Sequence, residues 1–149
     1  MEDRVFCQIE DRDNPTSIFI EDELVIGIMD IDPVTTSHGL IIPKVHTPNL
    51  ADIDEHTGRH LWTITQRTAA IWGSGVKCEG INILRADRKA AFQEIFNVHM
   101  HVFPRYRDDP FKIEADRDVK PSRDALDRVA GQVRLVYDRL WLHNRVASI

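Results

Sequence analysis

Cysteine is scarce in this chain, with only two among 149 residues. Cys7 and Cys78 form no CxxC pair, and although one disulfide between them fits the count, two free thiols in a reducing compartment are favoured. Long apolar runs are also absent, since the longest, Leu24–Met29 and Leu40–Pro43, are far shorter than a membrane span. The first residues show no apolar signal-peptide core. We therefore expect a cytoplasmic protein with no membrane partner.

Positive charge is in short supply too. Lys and Arg number 19 against 24 Asp and Glu, which gives a formal net charge of −5. This balance argues against a nucleic-acid partner, because nucleic-acid-binding proteins usually present a basic face. It still permits a small anionic substrate, because a pocket can be locally positive or rich in backbone N–H donors. No repeat, low-complexity tract or linker divides the sequence, so we predict one domain over residues 1–149.

Runs rich in β-branched residues, bordered by turn residues, predict five strands. They are Ser17–Ile20, Leu24–Asp30, Gly39–Pro43, Gly80–Leu84 and, less sharply bounded, Ile95–Pro104. Short turns between the first three predict antiparallel pairing.

Helical spacing of apolar residues predicts two helices. The first carries its stripe from Leu61 to Trp72 and should end at Gly73 or Gly75. The second should begin after Ser122, a suitable N-cap, and covers about residues 121–144. The fold class is therefore α+β: a five-stranded antiparallel sheet with two main helices packed against it.

The segment richest in chemical side chains contains His99 and His101. On a strand, alternate side chains share a face, so Val98, Met100 and Val102 should face the core while Asn97, His99 and His101 face the other way. Three interpretations of the two imidazoles are open: zinc ligands, plain surface residues, or a nucleophile with a phosphate-binding partner.

The surrounding pattern closely resembles the histidine-triad (HIT) family, whose motif is His-φ-His-φ-His-φ-φ with φ apolar. Asn97 stands at the first His, His99 at the second and His101 at the third. Residues 28–33 (IMDIDP) and 37–46 (SHGLIIPKVH) also resemble family segments, and the resemblance extends over residues 1–105. It implies a HIT-like fold.

The resemblance also implies catalytic roles. His99 would be the nucleophile that attacks the α-phosphorus, with its proton held on Nδ1 by an acceptor such as a backbone carbonyl. His101 would donate to phosphate and to the leaving group. Gln93 would bond a non-bridging oxygen, while His38 and Asn97 would support the others. No cofactor is implied.

The implied substrate is a purine nucleotide. Asp30 would accept hydrogen bonds from the ribose 2′- and 3′-hydroxyls, because a carboxylate can accept both at once. Four apolar residues align with the base pocket, and these are Phe6, Ile9, Ile28 and Ile31. The family's paired sheets imply a homodimer.

Departures from the family pattern lie in two places. Asn97 replaces a histidine, and in the phosphate loop Ala86 replaces an amide while Arg88 and Phe92 replace glycines. The zinc site of many bacterial relatives should be absent, because Arg4 and Asn97 stand where two of its ligands would be and leave only Cys7 and His46. We therefore predict no metal.

Four functions remain open at this level, and the least favoured is a nucleotidyltransferase that passes the nucleotide to an acceptor other than water. The favoured one is a purine nucleoside phosphoramidase or nucleotide hydrolase that forms a nucleotidyl-histidine. A dinucleoside polyphosphate hydrolase is the alternative enzyme, since Arg85, Arg88 and Lys89 are available for extra phosphates. A nucleotide-binding module with a decayed active site is the alternative outside enzymes, favoured by Asn97, Ala86 and Phe92.

Overall fold

A computed structural model describes residues 15–115 and 118–142 of the chain. Within it the chain forms two compact units, residues 1–111 and 112–149. The first unit contains the sheet and one long helix, and includes the whole region of family resemblance. The second contains the C-terminal helix.

The first unit is built on one antiparallel sheet of five strands, in the spatial order β1-β2-β3-β5-β4. The strands are β1 (Ile18–Glu21), β2 (Val25–Met29), β3 (Gly39–Pro43), β4 (Gly80–Leu84) and β5 (Met100–Arg105). The predicted fold class is confirmed.

The last strand begins later than predicted. The sequence pattern placed a strand over Ile95–Pro104, but β5 starts at Met100, which pairs with Ile41. Continuing the same register would set Val98 opposite Pro43, which has no N–H to donate to a ladder. Val98 donates instead to the carbonyl of Thr47, in the loop after β3, at 2.7 Å.

Helix α1 (Glu55–Gly75) covers one face of the sheet. Asp54 caps its start by accepting from the Thr57 N–H at 3.0 Å. Its end was predicted at Gly73 or Gly75; Gly75 is the last helical residue, and Lys77 beyond it adopts a left-handed φ of 54°.

Each face of the sheet has its own apolar cluster. Under α1 the cluster joins residues of the helix with Val25, Ile41, Val98 and Val102. On the opposite face Ile26, Ile28, Leu40 and Ile42 form a second cluster, against which Ile95 packs. Because Leu40 pairs with His101, the histidines belong to this second face.

In the second unit, helix α2 (Arg123–Tyr137) begins after Ser122, whose hydroxyl accepts from the Ala125 N–H at 3.3 Å, as the sequence predicted. A π-helical turn, Asp138–Leu142, follows it. No described helix has the length and apolar character needed to cross a bilayer.

Candidate active site

His99 is held by the main chain two residues before it. Its Nδ1 lies 2.7 Å from the Asn97 carbonyl oxygen. A carbonyl can only accept, so Nδ1 carries the proton and the lone pair of the ring resides on Nε2. The ring is only 6% exposed. Burial lowers the pKa of His99, outweighing the opposing effect of the Asn97 carbonyl. The residue is thus a neutral imidazole in the tautomer predicted for a nucleophile.

The interpretation of the motif histidines as plain surface residues does not hold for His99. Alternation holds, since Val98 and Val102 lie in the core under α1 while His99 faces away from it. The face is not open, however, because His99 and Asn97 are both buried. Residues of the loop before the motif line the same cavity as His99, and periodicity within a strand carries no information about where such a loop lies.

His101 and His38 form a hydrogen-bonded pair. Nε2 of His38 lies 3.0 Å from Nδ1 of His101. The rings of His101 and His99 contact edge to face, with centroids 4.7 Å apart. Burial, with smaller contributions from His99 and His38, lowers the pKa of His101 to about 3. His101 is therefore neutral at pH 7 and shares one site with His99.

The position of His38 depends on α1. The Trp72 indole N–H donates to the Ser37 carbonyl at 2.6 Å, and Ser37 adopts a left-handed φ of 69°. The His38 carbonyl in turn accepts from the Asp30 N–H at 2.9 Å. These contacts bring Asp30 beside the ring, with its Oδ2 3.2 Å from Nδ1 of His38.

Asn97 takes a different position from the one predicted. Its side chain is buried away from the cleft, and its Oδ1 accepts from the Thr47 N–H at 2.9 Å. Asn97 thus ties the loop after β3 to the start of the motif. Its contribution to His99 comes from its carbonyl, which any residue would supply.

Gln93 was predicted to bond phosphate, and in this structure its side chain bonds main-chain groups of two loops. Its Nε2 donates to the carbonyls of Pro48, at 3.0 Å, and Ile95, at 3.1 Å. Its Oε1 accepts from the Arg88 N–H. Both amide hydrogens and the oxygen of Gln93 make hydrogen bonds, so its side chain stabilises the loop. It is not part of the cavity lining.

A cavity of about 350 Å³ opens in front of the histidines. Its lining includes Asp30, His38, His99 and His101, together with an apolar wall. That wall consists of Val34, Leu40, Leu84, Ala86, Ala91, Phe92, Ile95, Phe103 and Phe111.

The structure describes two of the four residues that were predicted to form the base pocket. Ile28 is buried in the core cluster behind Leu40. Ile31 is 99% exposed. Neither is part of the cavity wall. Phe6 and Ile9 lie outside the described residues.

Phe111 is a wall residue that sequence reasoning missed. It lies in a polar segment, and its ring contacts Phe103 with centroids 5.0 Å apart. Arg105 folds the segment back through bonds of 2.7 Å to both carboxylate oxygens of Asp109, and its guanidinium lies 5.0 Å from the Phe111 ring centroid. In the sequence, the available signal was a phenylalanine within a mostly polar segment.

The two residues that replace glycines in the phosphate loop have backbone angles typical of glycine. Arg88 has a φ of 70° and Phe92 a φ of 66°, values that favour glycine. Phe92 projects at the cavity mouth and is 90% exposed. The loop therefore keeps the path that glycines would give it, at some cost in strain.

The charges around the cavity are acidic. Its described lining contains the carboxylates of Asp30, Asp32 and Glu94 and no Lys or Arg. Arg85 is buried behind it, and its Nη2 donates to Asp87 at 2.9 Å. Within the described chain its Nε and Nη1 have no partner.

Asp30, His38 and His101 also have the chemistry of a metal site, with ligand atoms all within 4.8 Å of one another. The hydrogen bond between His38 and His101 and the 3.2 Å approach of Asp30 Oδ2 to Nδ1 of His38 account for that spacing without an ion. Of the zinc-site positions discussed above, Asn97 bonds Thr47, while Arg4 and Cys7 lie outside the described residues. Cys78 has a free thiol.

Comparison with known proteins matches residues 11–108 to the HIT domain. The protein SMU.412c of Streptococcus mutans has a similar structure, with a TM-score of 0.83, 30% identity and coverage of 90% of this chain and 85% of that one. A structure described as a Zn-bound histidine triad family protein, from Mycobacterium smegmatis, is 39% identical over 89% of this chain and 96% of that one, with a TM-score of 0.68. Adenosine 5′-monophosphoramidase HNT1 of Saccharomyces cerevisiae is 33% identical over 101 residues, 68% of this chain and 61% of the relative.

Proposed function

This chain belongs to the HIT domain family, and on that premise we propose that it hydrolyses purine nucleoside 5′-phosphoramidates through a nucleotidyl intermediate on His99. The observation that carries the proposal is the 2.7 Å bond from Nδ1 of His99 to the Asn97 carbonyl. It places the lone pair on Nε2 in a buried, neutral ring.

The reaction takes two displacements. Nε2 of His99 attacks the α-phosphorus, the P–N bond breaks, and the leaving amine takes a proton from Nε2 of His101. Water then attacks the same phosphorus, the P–Nε2 bond breaks, and the nucleoside monophosphate is released. Covalent catalysis is faster because it replaces one difficult displacement at phosphorus with two easier ones. Proton donation by His101 should contribute roughly 10²–10⁴-fold.

The cavity wall supports a nucleoside substrate. Leu40, Leu84, Phe103 and Phe111 offer an apolar surface of the kind a purine base prefers. Asp30, at one side of the same cavity, can accept from two ribose hydroxyls. The yeast relative is named an adenosine 5′-monophosphoramidase, and this favours a phosphoramidate over other nucleotide derivatives as the substrate.

The charge of the cavity argues against the polyphosphate alternative. Extra phosphates need cations beside them, yet the described lining contributes three carboxylates and no Lys or Arg. Arg85 is not part of that lining, and its Nη2 is bonded to Asp87. A compact leaving group with little charge fits the cavity better.

The decayed-site alternative rests mainly on Asn97. Its replacement of a histidine leaves the His99 tautomer intact, because the bond comes from the main chain. We therefore expect activity to survive this departure.

The deciding experiment compares kcat/KM for an adenosine phosphoramidate, a diadenosine polyphosphate and a nucleotide sugar on one preparation. We expect the phosphoramidate to react fastest and His99→Ala to lose about 10⁴-fold or more, or roughly 5.5 kcal/mol of barrier. Intact mass of quenched wild type should show a nucleotide adduct that the variant lacks. A tenfold preference for the polyphosphate would overturn the substrate assignment. Nucleotide binding without turnover would favour the decayed site.

A further inference from the structure

Asp30, expected to hold the ribose, also contacts the histidines. Its Oδ2 lies 3.2 Å from Nδ1 of His38, whose Nε2 lies 3.0 Å from Nδ1 of His101. The Asp30 side chain is only 15% exposed, and its Oδ1 accepts from the Asp32 N–H at 3.0 Å. A continuous chain of polar contacts therefore runs from the carboxylate to the ring that faces the leaving group.

Two arrangements of protons are compatible with this chain. Nδ1 of His38 also lies 3.4 Å from the Val34 N–H, a contact that requires a lone pair on Nδ1. In that arrangement neutral His38 donates from Nε2, and His101 carries its proton on its own Nε2. If Nδ1 instead donates to Asp30, neutral His38 accepts at Nε2 and the Nε2 of His101 is a base. The partner of one nitrogen of His38 thus decides the role of His101.

The carboxylate is the stronger partner. The hydrogen bond from the Val34 N–H to Nδ1 is at the long end of the range, at 3.4 Å. Oδ2 of Asp30 is closer, at 3.2 Å, and its negative charge attracts a proton on Nδ1. His38 is almost wholly buried, with 3% of its side chain exposed, so the nearby negative charge is weakly screened. Burial lowers the pKa of His38 and the charge of Asp30 opposes this.

We propose that Asp30 is a positioning residue for His38 and, through it, for His101, in addition to any contact with ribose. Its ionised carboxylate keeps a proton on Nδ1 of His38. This assignment rests on the proposed function for its catalytic consequence, but the placement of the proton is a property of the unliganded protein.

The consequence for the reaction is a balanced proton cycle. Bound phosphate adds negative charge, and the two histidines together hold one extra proton, so that His38 is an imidazolium paired with Asp30. As the P–N bond breaks, the Nε2 proton of His101 passes to the amine and the Nε2 proton of His38 moves to Nδ1 of His101. As water attacks, its proton goes to Nε2 of His101 and the Nδ1 proton returns to His38. Asp30 stays ionised throughout.

The first test needs no substrate. Nitrogen-15 NMR of the imidazole rings distinguishes Nδ1–H from Nε2–H, and a His38→Gln variant assigns the signal. We expect the Nδ1–H form of His38 in wild type at pH 7 and its loss in Asp30→Ala. Asp32→Asn is the matched control, because its carboxylate lies in the same cavity and its side chain makes no hydrogen bond or ion pair with His38 among the described residues. Wild type with the proton on Nε2 would overturn the proposal without any variant.

The second test distinguishes the contact of Asp30 with ribose from its positioning of His38. A 2′,3′-dideoxynucleoside phosphoramidate offers no hydroxyl to the carboxylate, so a ribose-only role predicts that Asp30→Asn leaves its turnover unchanged. We expect kcat on the dideoxy substrate to fall tenfold or more, with KM nearly constant. Equal kcat in the two proteins would refute the positioning role even if the phosphoramidase activity is real. Failure of all turnover would contradict the proposed function and leave the NMR result to decide the proposal.

Discussion

At position 97 the main chain and the side chain serve different neighbours. The carbonyl holds the catalytic tautomer of His99, and the amide oxygen holds Thr47. Substitution of Asn97 should therefore lower the stability of the fold and leave the catalytic activity nearly unchanged.

We expect Asn97→Ala to lower the free energy of unfolding by about 1–3 kcal/mol, because the buried Thr47 N–H is left without its acceptor. We expect kcat/KM to change by less than about tenfold, since the barrier shift stays under roughly 1.4 kcal/mol. Urea unfolding and steady-state assays measure the two effects. Asn49→Ala, which removes an exposed hydrogen bond to Asp52, is the control and should cost little. A fully folded but inactive Asn97→Ala would show that the side chain acts on His99.

The histidines should make stability depend on pH. The pKa of His101 is about 3 in the folded protein, against 6.5 in the unfolded chain, and burial lowers the pKa of His38 and His99 as well. Between these values the unfolded state binds more protons, so stability is complete above pH 6.5 and falls as the pH drops towards 3.

We expect the wild type to lose about 1 kcal/mol or more between pH 7.5 and 5.0, a window largely above carboxylate titration. His101→Gln should lose less over the same range, because it removes one depressed group. Urea unfolding at both pH values measures the difference. An equal loss in both proteins would mean that His101 titrates normally.

At the scale of elements, the loop between β4 and β5 adopts a backbone conformation that suits glycine, although the residues at these positions are not glycines. Phe92 lies in the left-handed helical region, and Arg88, with a φ of 70° and a ψ of 165°, lies in another region that favours glycine. Each conformation costs a residue with a Cβ about 1–3 kcal/mol. Gln93 makes three hydrogen bonds, two within this loop and one to Pro48 of the loop after β3, and these oppose the strain.

We expect Phe92→Gly to raise the free energy of unfolding by about 0.5–1 kcal/mol, since its exposed ring loses little burial. Ala91→Gly is the matched control in the same loop: its φ is not positive, so glycine there should destabilise by a similar amount. Thermal melts of the two variants give the comparison. Destabilisation by Phe92→Gly would mean that the ring makes stabilising contacts in solution.

At the scale of the whole molecule, the sheet order leaves β1 and β4 as the edges of the first unit. An uncovered edge presents unpaired N–H and C=O groups that can pair with a second copy. Ile83 on β4 adds a partly exposed apolar side chain to this edge. We infer that two chains associate with twofold symmetry.

Light scattering at micromolar concentration should therefore give a mass of about twice 17.2 kDa. Ile83→Glu should weaken the association without unfolding the monomer, because it places a charge at the edge while the core stays intact. A wild-type mass of one chain would contradict the prediction.

The sequence by itself determined the elements and the direction of the motif. Alternation within a strand is a local property of the backbone, so it placed Val98 and Val102 in the core and His99 on the other face. The turn residues between apolar runs likewise predicted the antiparallel sheet and its five strands.

Only the tertiary structure decided which side chains meet. Gln93 bonds Pro48 of the loop after β3, Phe111 enters the cavity wall, and Asp30 reaches His38 because of how loops fold over the sheet. The contact of His38 with His101 joins residues 63 positions apart. Local periodicity contains no information about such distances, since they depend on loop paths and on the competition among partners for each polar atom.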